Sequence, residues 1–244
     1  MAQQLPLDLG CRPALEADDF LVAPSNGDAV AWLEPGRSWP GPALVLSGPV
    51  GSGKSHLARV WAARTGAVLV GREALVVADV ADLLPSGRSV AVAVDGADAV
   101  AGDALGERAL LHLFNLVAEG GGRLLLTGTT AAAGWGLRLP DLASRLRAAP
   151  SVALGPPGDD LLAAMLVKLL ADRQLQPPTE VVAYLVPRME RSGAAVQRLA
   201  AELDLAALAA HRPITLPLAR TVLAALNAEG QPSPAPLVRR RTDG

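Results

Sequence analysis

The sequence predicts an α/β protein: a five-stranded parallel sheet with helices on both faces, followed by a smaller all-helical domain. Three observations predict it. Short apolar runs alternate with helical segments from Ala43 to Leu154, and strand signals stop after Gly155-Pro156-Pro157. A glycine-rich phosphate-loop pattern also stands where the first strand meets the first helix of that alternation.

Taken in order, Ala43–Ser47, Ala67–Val70, Val90–Val94, Arg123–Thr127 and Ser151–Leu154 are brief, rich in Val and Leu, and bounded by Gly, Pro or Asp. Such runs suit strands buried on both faces. Between them, Lys54–Thr65, Ala104–Ala118 and Leu139–Arg147 carry helical character. Gly66 and Gly120 stand just past two of these helices, where a left-handed residue is expected to end the turn. Beyond the prolines, Asp159–Arg173, Glu180–Arg188, Ala194–Ala210 and Pro217–Asn227 keep a helical period. Leu161, Leu162, Met165, Leu166, Leu169 and Leu170 form one apolar stripe, which assigns them to a core.

Composition narrows the function classes. Lys+Arg total 22 against Asp+Glu 24, a formal net charge of −2, so a generally basic nucleic-acid surface is not expected. Four Trp, one Tyr and two Phe among 244 residues also weigh against a stacking platform for single strands. Cys11 is the only cysteine, which excludes an intrachain disulfide and a cysteine-cluster metal site. His56, His112 and His211 lack the short spacings of zinc ligands. No apolar run reaches membrane-spanning length, and no basic region precedes an apolar core at the N-terminus, so a cytoplasmic, soluble protein without membrane contact is expected.

The chemistry centres on Gly48-Pro49-Val50-Gly51-Ser52-Gly53-Lys54-Ser55, which satisfies G-x-x-x-x-G-K-[ST] between an apolar strand and a helix. Gly48, Gly51 and Gly53 let the backbone curl so that successive N–H groups, those of Pro49's neighbours and of Ser52 through His56, converge on one phosphate. Lys54 is expected at the β- and γ-phosphates and the Ser55 hydroxyl on Mg²⁺, with ADP or ATP as the ligand. Asp95 closes a later apolar strand and is the expected second holder of the Mg²⁺ shell. Gly96 follows where many such ATPases carry a water-orienting carboxylate, so intrinsic hydrolysis is expected to be weak or absent; Asp98 is a partial substitute.

The order of these elements, with Leu139-Pro140-Asp141-Leu142-Ala143-Ser144-Arg145-Leu146, resembles the AAA+ module of DnaA-type replication initiators, and most nearly the Hda-type regulators. The likeness runs from about residue 14 to 228 and includes Asp19–Asn26, similar to the family's approach to the adenine pocket, and Arg212–Leu218 before the last helix. It implies a sheet order of 5-1-4-3-2 and a C-terminal helical lid. The implied layout is a flexible tail at 1–12, an AAA+ nucleotide-binding domain at 13–155, a lid at 156–229 and a disordered tail at 230–244. Arg145 takes the place of the arginine finger that reaches a neighbouring subunit's γ-phosphate, with Arg138 and Arg147 as nearby interface candidates. Gln4-Leu5-Pro6-Leu7-Asp8-Leu9 resembles the peptide by which this family docks on the sliding clamp of DNA polymerase III, with Gln4, Leu5, Leu7 and Leu9 as contacts.

Departures are equally informative. The γ-phosphate sensor position falls on Thr129 or Thr130. The lid arginine position falls on Ala194, leaving Arg191 and Arg198 as neighbouring candidates. The resemblance therefore implies a regulatory adaptor that binds nucleotide, docks on the sliding clamp, which is the β subunit of DNA polymerase III, and stimulates ATP hydrolysis by a DnaA-type initiator through Arg145. The alternative is an autonomous AAA+ ATPase acting as an initiator-associated or helicase-loading factor. A P-loop kinase for a small molecule is a third reading, for which the helical domain and clamp-like peptide have no use. Direct sequence-specific DNA binding is not expected, homodimer formation is left open, and Arg239-Arg240-Arg241 are read as a solvated end.

Overall fold

The computed structural model describes residues 12–13, 21–77 and 90–229. The clamp-like residues Gln4, Leu5, Leu7 and Leu9, with Cys11, Asp19, Phe20 and the C-terminal arginines Arg239–Arg241, lie outside them. Two short strands, β1 (Arg12–Pro13) and β2 (Leu21–Val22), pair antiparallel. The main sheet contains β3 (Ala43–Ser47), β4 (Val68–Gly71), β5 (Ala91–Asp95), β6 (Arg123–Gly128) and β7 (Ser151–Ala153). All its pairings are parallel and its order is β7-β3-β6-β5-β4, which is 5-1-4-3-2 counted along the chain.

The pleat explains why these strands are apolar without alternation. Along β3, Ala43 and Val45 join a core with Val92, Val94, Leu124 and Leu126. Leu44 and Leu46 join the opposite core with Ala93, Leu125 and Val152. Successive side chains point to opposite faces, and both faces are covered. On the first face lie α4 (Ala104–Glu119) and α5 (Pro140–Ala148), through Leu110, Leu113, Phe114, Val117, Leu142 and Leu146. On the second lie α1 (Gly27–Leu33) and α2 (Lys54–Thr65), through Ala29, Val30, Leu33, Leu57, Ala58 and Trp61. A short helix, α3 (Arg72–Val77), follows β4.

The described chain separates into two compact units. One runs to Met165 and takes back Glu190–Ala194; the other contains Leu166–Met189 and the chain from Ala195 onward. The helical region comprises α6 (Asp159–Ala171), α7 (Thr179–Leu185), a 3-10 turn at Val186–Arg188, α8 (Gly193–Ala210) and α9 (Leu216–Glu229). Within the second unit, Val181, Val182 and Leu185 of α7, Leu199 and Leu203 of α8, and Val222 and Leu223 of α9 are buried. Among the described residues, no helix is long and apolar enough to cross a membrane.

The left-handed residue after α4 is one place later than expected. Gly120 has φ −76 and Gly121 takes the positive φ, +62, because the helix runs to Glu119 rather than Ala118. Gly66 does end α2 at φ +68, its N–H donating to the Ala62 carbonyl. Gln174 and His211 take positive φ without being glycine, past the ends of α6 and α8.

Candidate nucleotide site and arginine helix

β3 delivers the chain to Gly48, and α2 begins at Lys54, so the six residues between them form the phosphate-loop bend. Two glycines there are held in places that no other residue fits. A Cβ on Gly48 would stand 2.3 Å from the Leu154 carbonyl oxygen. A Cβ on Gly51, at φ +82, would stand 2.7 Å from Ser192 Cβ. The loop is thus pressed between the residue that follows β7 and the segment Glu190–Ala194 of the same unit.

The Lys54 ammonium donates to the Gly48 carbonyl at 2.7 Å, the Pro49 carbonyl at 2.8 Å and Ser52 Oγ at 3.4 Å. Burial pushes its pKa below the ordinary lysine value, while Asp98 and Asp95 act in the opposite direction. α2 has no acidic residue in its first turn and no side-chain cap at Gly53. Its positive end is therefore left uncompensated by the helix itself, the condition that favours an anion. His56 lies in that first turn.

Four residues from three elements meet beside the lysine. Ser55 Oγ donates to Asp95 Oδ1 at 2.9 Å, and Thr127 Oγ1 donates to the same oxygen at 2.7 Å. Thr127 Oγ1 in turn accepts the Gly96 N–H at 2.8 Å. Asp95 and Thr127 come together because β5 and β6 are parallel neighbours. Asp98 Oδ2 accepts both the N–H and the hydroxyl of Thr129, at 2.7 and 2.5 Å. Thr129, not Thr130, is thereby tied to the acidic side of the site; the Thr130 carbonyl accepts the Trp135 indole N–H instead.

The two lid arginine candidates differ. Arg191 lies in the same unit as the phosphate loop, its guanidinium donating to Asp159 Oδ1 at 2.5 Å and to the Pro157 carbonyl at 3.4 Å. Arg198 lies on α8 in the other unit. Ser192, Thr127 and Glu107 were not singled out by sequence reasoning. All three are buried polar side chains inside or beside apolar segments, and only Thr127, two residues before the expected sensor Thr129, carried a local hint.

Arg145 stands on α5. Its Nε pairs with Asp141 Oδ1 at 2.9 Å, one turn back, and its guanidinium carbon lies 5.5 Å from the Phe114 ring centre. Its side chain is 40% exposed. Arg138 and Arg147 are also exposed, Arg147 donating to the Ala143 carbonyl on its own helix. Among the described residues no cluster of three or more His, Cys, Asp and Glu is arranged to hold a metal on its own.

Solved structures share this fold. Domain III of the replication initiation protein DnaA from Thermotoga maritima superposes with TM-score 0.70 at 19% identity, covering 84% of this chain and 94% of that one. AMPPCP-bound DnaA from Aquifex aeolicus gives 0.61 at 19% identity, over 76% of this chain and 63% of that chain. A RuvB variant from Thermotoga maritima gives 0.62 at 19% identity, over 76% and 62%. The chain therefore spans under two thirds of the longer initiator it matches. Residues 159–223 match the family described as "Hda, lid domain". The chain has the fold of DnaA domain III, and its residues 159–223 are similar to the Hda lid domain.

That lid match begins at the Asp159 that pairs with Arg191 and ends at Leu223, within α9. The fold in turn gives the phosphate-loop bend its context, at the C-terminal end of β3 beside the acid that ends β5.

Proposed function

We propose that this chain is a nucleotide-binding AAA+ regulatory adaptor: it holds ADP or ATP with Mg²⁺, docks on the sliding clamp, and supplies Arg145 in trans to a DnaA-type initiator, down-regulating replication initiation. The observation that carries this reading is the Lys54, Ser55 and Asp95 cluster at a bend only glycine can make, on a chain that continues into an Hda-type lid.

The donor set suits the ligand. A hydroxyl and a carboxylate are the hard oxygen ligands Mg²⁺ prefers. The lysine, loop amides and uncompensated helix end are the groups a polyphosphate needs. A bound Mg²⁺–nucleotide supplies the opposite charges. Ser55 and Asp95 would hold the cation, with Thr127 fixing the carboxylate's orientation. Gly96 offers no base, and Asp98 is engaged by Thr129, which supports slow intrinsic turnover. Thr129 remains the sensor candidate, and Arg191, in the same unit as the phosphate loop, remains a lid candidate beside Arg198.

Arg145 is exposed, and its ion pair with Asp141 is a surface pair worth little, so exchanging that partner for a phosphate costs little. A finger of this kind accelerates hydrolysis roughly 10³- to 10⁵-fold in other systems. The Gln4–Leu9 peptide would tether the chain to the DNA-loaded clamp and raise the local concentration of the pair, so weak AAA+ contacts suffice.

The test is initiator ATP hydrolysis in the presence of loaded clamp. Arg145→Ala should abolish the stimulation while clamp capture persists, and Gln4→Ala with Leu7→Ala should lose capture. Unchanged stimulation by Arg145→Ala removes the finger. Robust turnover by the isolated chain, lost in Lys54→Ala, points instead to an autonomous ATPase.

A further inference from the structure

Glu107 is the one ionisable side chain among the buried described residues, at 2% exposure. It lies in the first turn of α4, and its carboxylate accepts four hydrogen bonds, all from backbone donors. These are the Gly102 N–H at 2.8 Å, the Arg138 N–H at 2.9 and 3.0 Å, and the Leu139 N–H at 2.7 Å. Two of those amides belong to the residues that lead into α5. Leu139 is the N-cap of that helix, and a leucine has nothing with which to cap it.

Many helices solve this with a glutamate at the third helical position that reaches back to the N-cap amide. In α5 that position is Leu142, which is fully buried in the sheet core and unavailable for the task. The carboxylate comes from the neighbouring helix instead. The same helix also supports the middle of α5. Phe114, seven residues after Glu107 and so on the same side of α4, lies under the Arg145 guanidinium, and Leu142 and Leu146 share a core with Leu110 and Leu113.

We infer that Glu107 is a positioning residue for Arg145: by clamping the Arg138 and Leu139 amides it fixes the axial position and rotation of α5, and with them the direction in which Arg145 is presented. The inference rests on the finger reading given above. An arginine that must meet a phosphoryl group held by another molecule acts only within a narrow geometry, and a misplacement of about 1 Å is enough to cost on the order of 100-fold in rate. A pinned helix start supplies that geometry; a frayed one would not.

The experiment uses the full chain and titrates wild type, Glu107→Gln, Glu107→Ala and Arg145→Ala into the initiator–clamp–DNA hydrolysis assay. Glu107→Gln keeps the size of the side chain but turns an amide NH₂ toward backbone donors. It should lower the maximal stimulated rate at least tenfold, at unchanged half-saturating chain concentration and unchanged clamp capture. Hydrogen exchange at Arg138 and Leu139 should accelerate in the same variant. A change in half-saturation alone, with the maximal rate intact, would mean that Glu107 merely maintains folded protein and would overturn the inference. So would full stimulation by Glu107→Gln when Arg145→Ala is inactive, which leaves the finger reading standing. If Arg145→Ala itself stimulates fully, the finger reading fails and this inference with it. Should Glu107→Ala not fold, Glu107→Gln and the exchange of the wild-type amides decide the matter: exchange of the Arg138 and Leu139 amides at the rate of an unstructured chain overturns the clamp.

Discussion

Individual side chains already determine how much tolerance the site has. Gly51→Ala meets two penalties, a left-handed backbone costing about 1–2 kcal/mol for an L-residue and a contact of 2.7 Å with Ser192 Cβ. Adding Ser192→Gly removes the second and not the first, so the double variant should recover part of the stability and nucleotide affinity lost by the single one. Urea unfolding and nucleotide titration measure both. Glu107 makes a pH-dependent contribution. Burial raises its pKa, but the amides of Arg138, Gly102 and Leu139 and the charge of Arg138 together bring it below its ordinary value of 4.5. A carboxylate with a depressed native pKa stabilises above the unfolded value and loses that contribution as pH falls through the native one. The stability gap between wild type and Glu107→Gln should therefore be full at pH 7, begin to close below about pH 4.5, and shrink further on acidification. At pH 7, Glu107→Ala should cost roughly 2–3 kcal/mol by leaving buried amides unpaired. The meeting of Lys54, Ser55 and Asp95 could be expected from the sequence, because a spaced pattern marks the first two and an apolar run ending in an acid marks the third. Glu107 could not, because its three donors lie in loops whose path depends on the whole fold.

Among the elements, α4 and α5 decide the geometry of the arginine face. Asp103 caps α4 by accepting the Leu105 N–H at 3.1 Å, and Asp103→Ala should lower stability by about 1 kcal/mol. Leu142→Ala in α5 empties a fully buried position and should cost 2–5 kcal/mol, roughly, in urea unfolding. The strands were legible almost to the residue because doubly covered β3 and β6 leave no polar interruption. α1 and α3 were not foreseen. They have seven and six residues, too short for a helical period to establish itself. α7 was expected to continue to Arg188 but stops at Leu185 and gives way to a 3-10 turn, because Pro187 cannot donate the next helical hydrogen bond. α6 ends at Ala171 rather than Arg173, with Gln174 at positive φ just beyond.

For the whole molecule, the expected response is linkage. A ligand that binds only the folded chain stabilises it by about 2.7 kcal/mol at a free concentration 100 times its Kd. Mg²⁺ with ADP or ATP should raise the thermal midpoint accordingly, and Lys54→Ala should remove the shift; a wild-type midpoint indifferent to both nucleotides contradicts nucleotide binding. The α/β-then-helical layout was visible at this scale because the change from strand alternation to pure helical period is abrupt. The return of Glu190–Ala194 to the first unit was not, since nothing local distinguishes those five residues from their neighbours.

That return limits how the chain can be recombined. Ser192, contributed from within the Hda-type segment, abuts the glycine at the tip of the phosphate bend. A chimera that swaps in a helical region from another protein of this fold at the Gly155-Pro156-Pro157 junction would exchange this neighbour too. Only donors with an equally small side chain there would preserve the bend, so the shape of the bend and the origin of the lid are inherited as a pair.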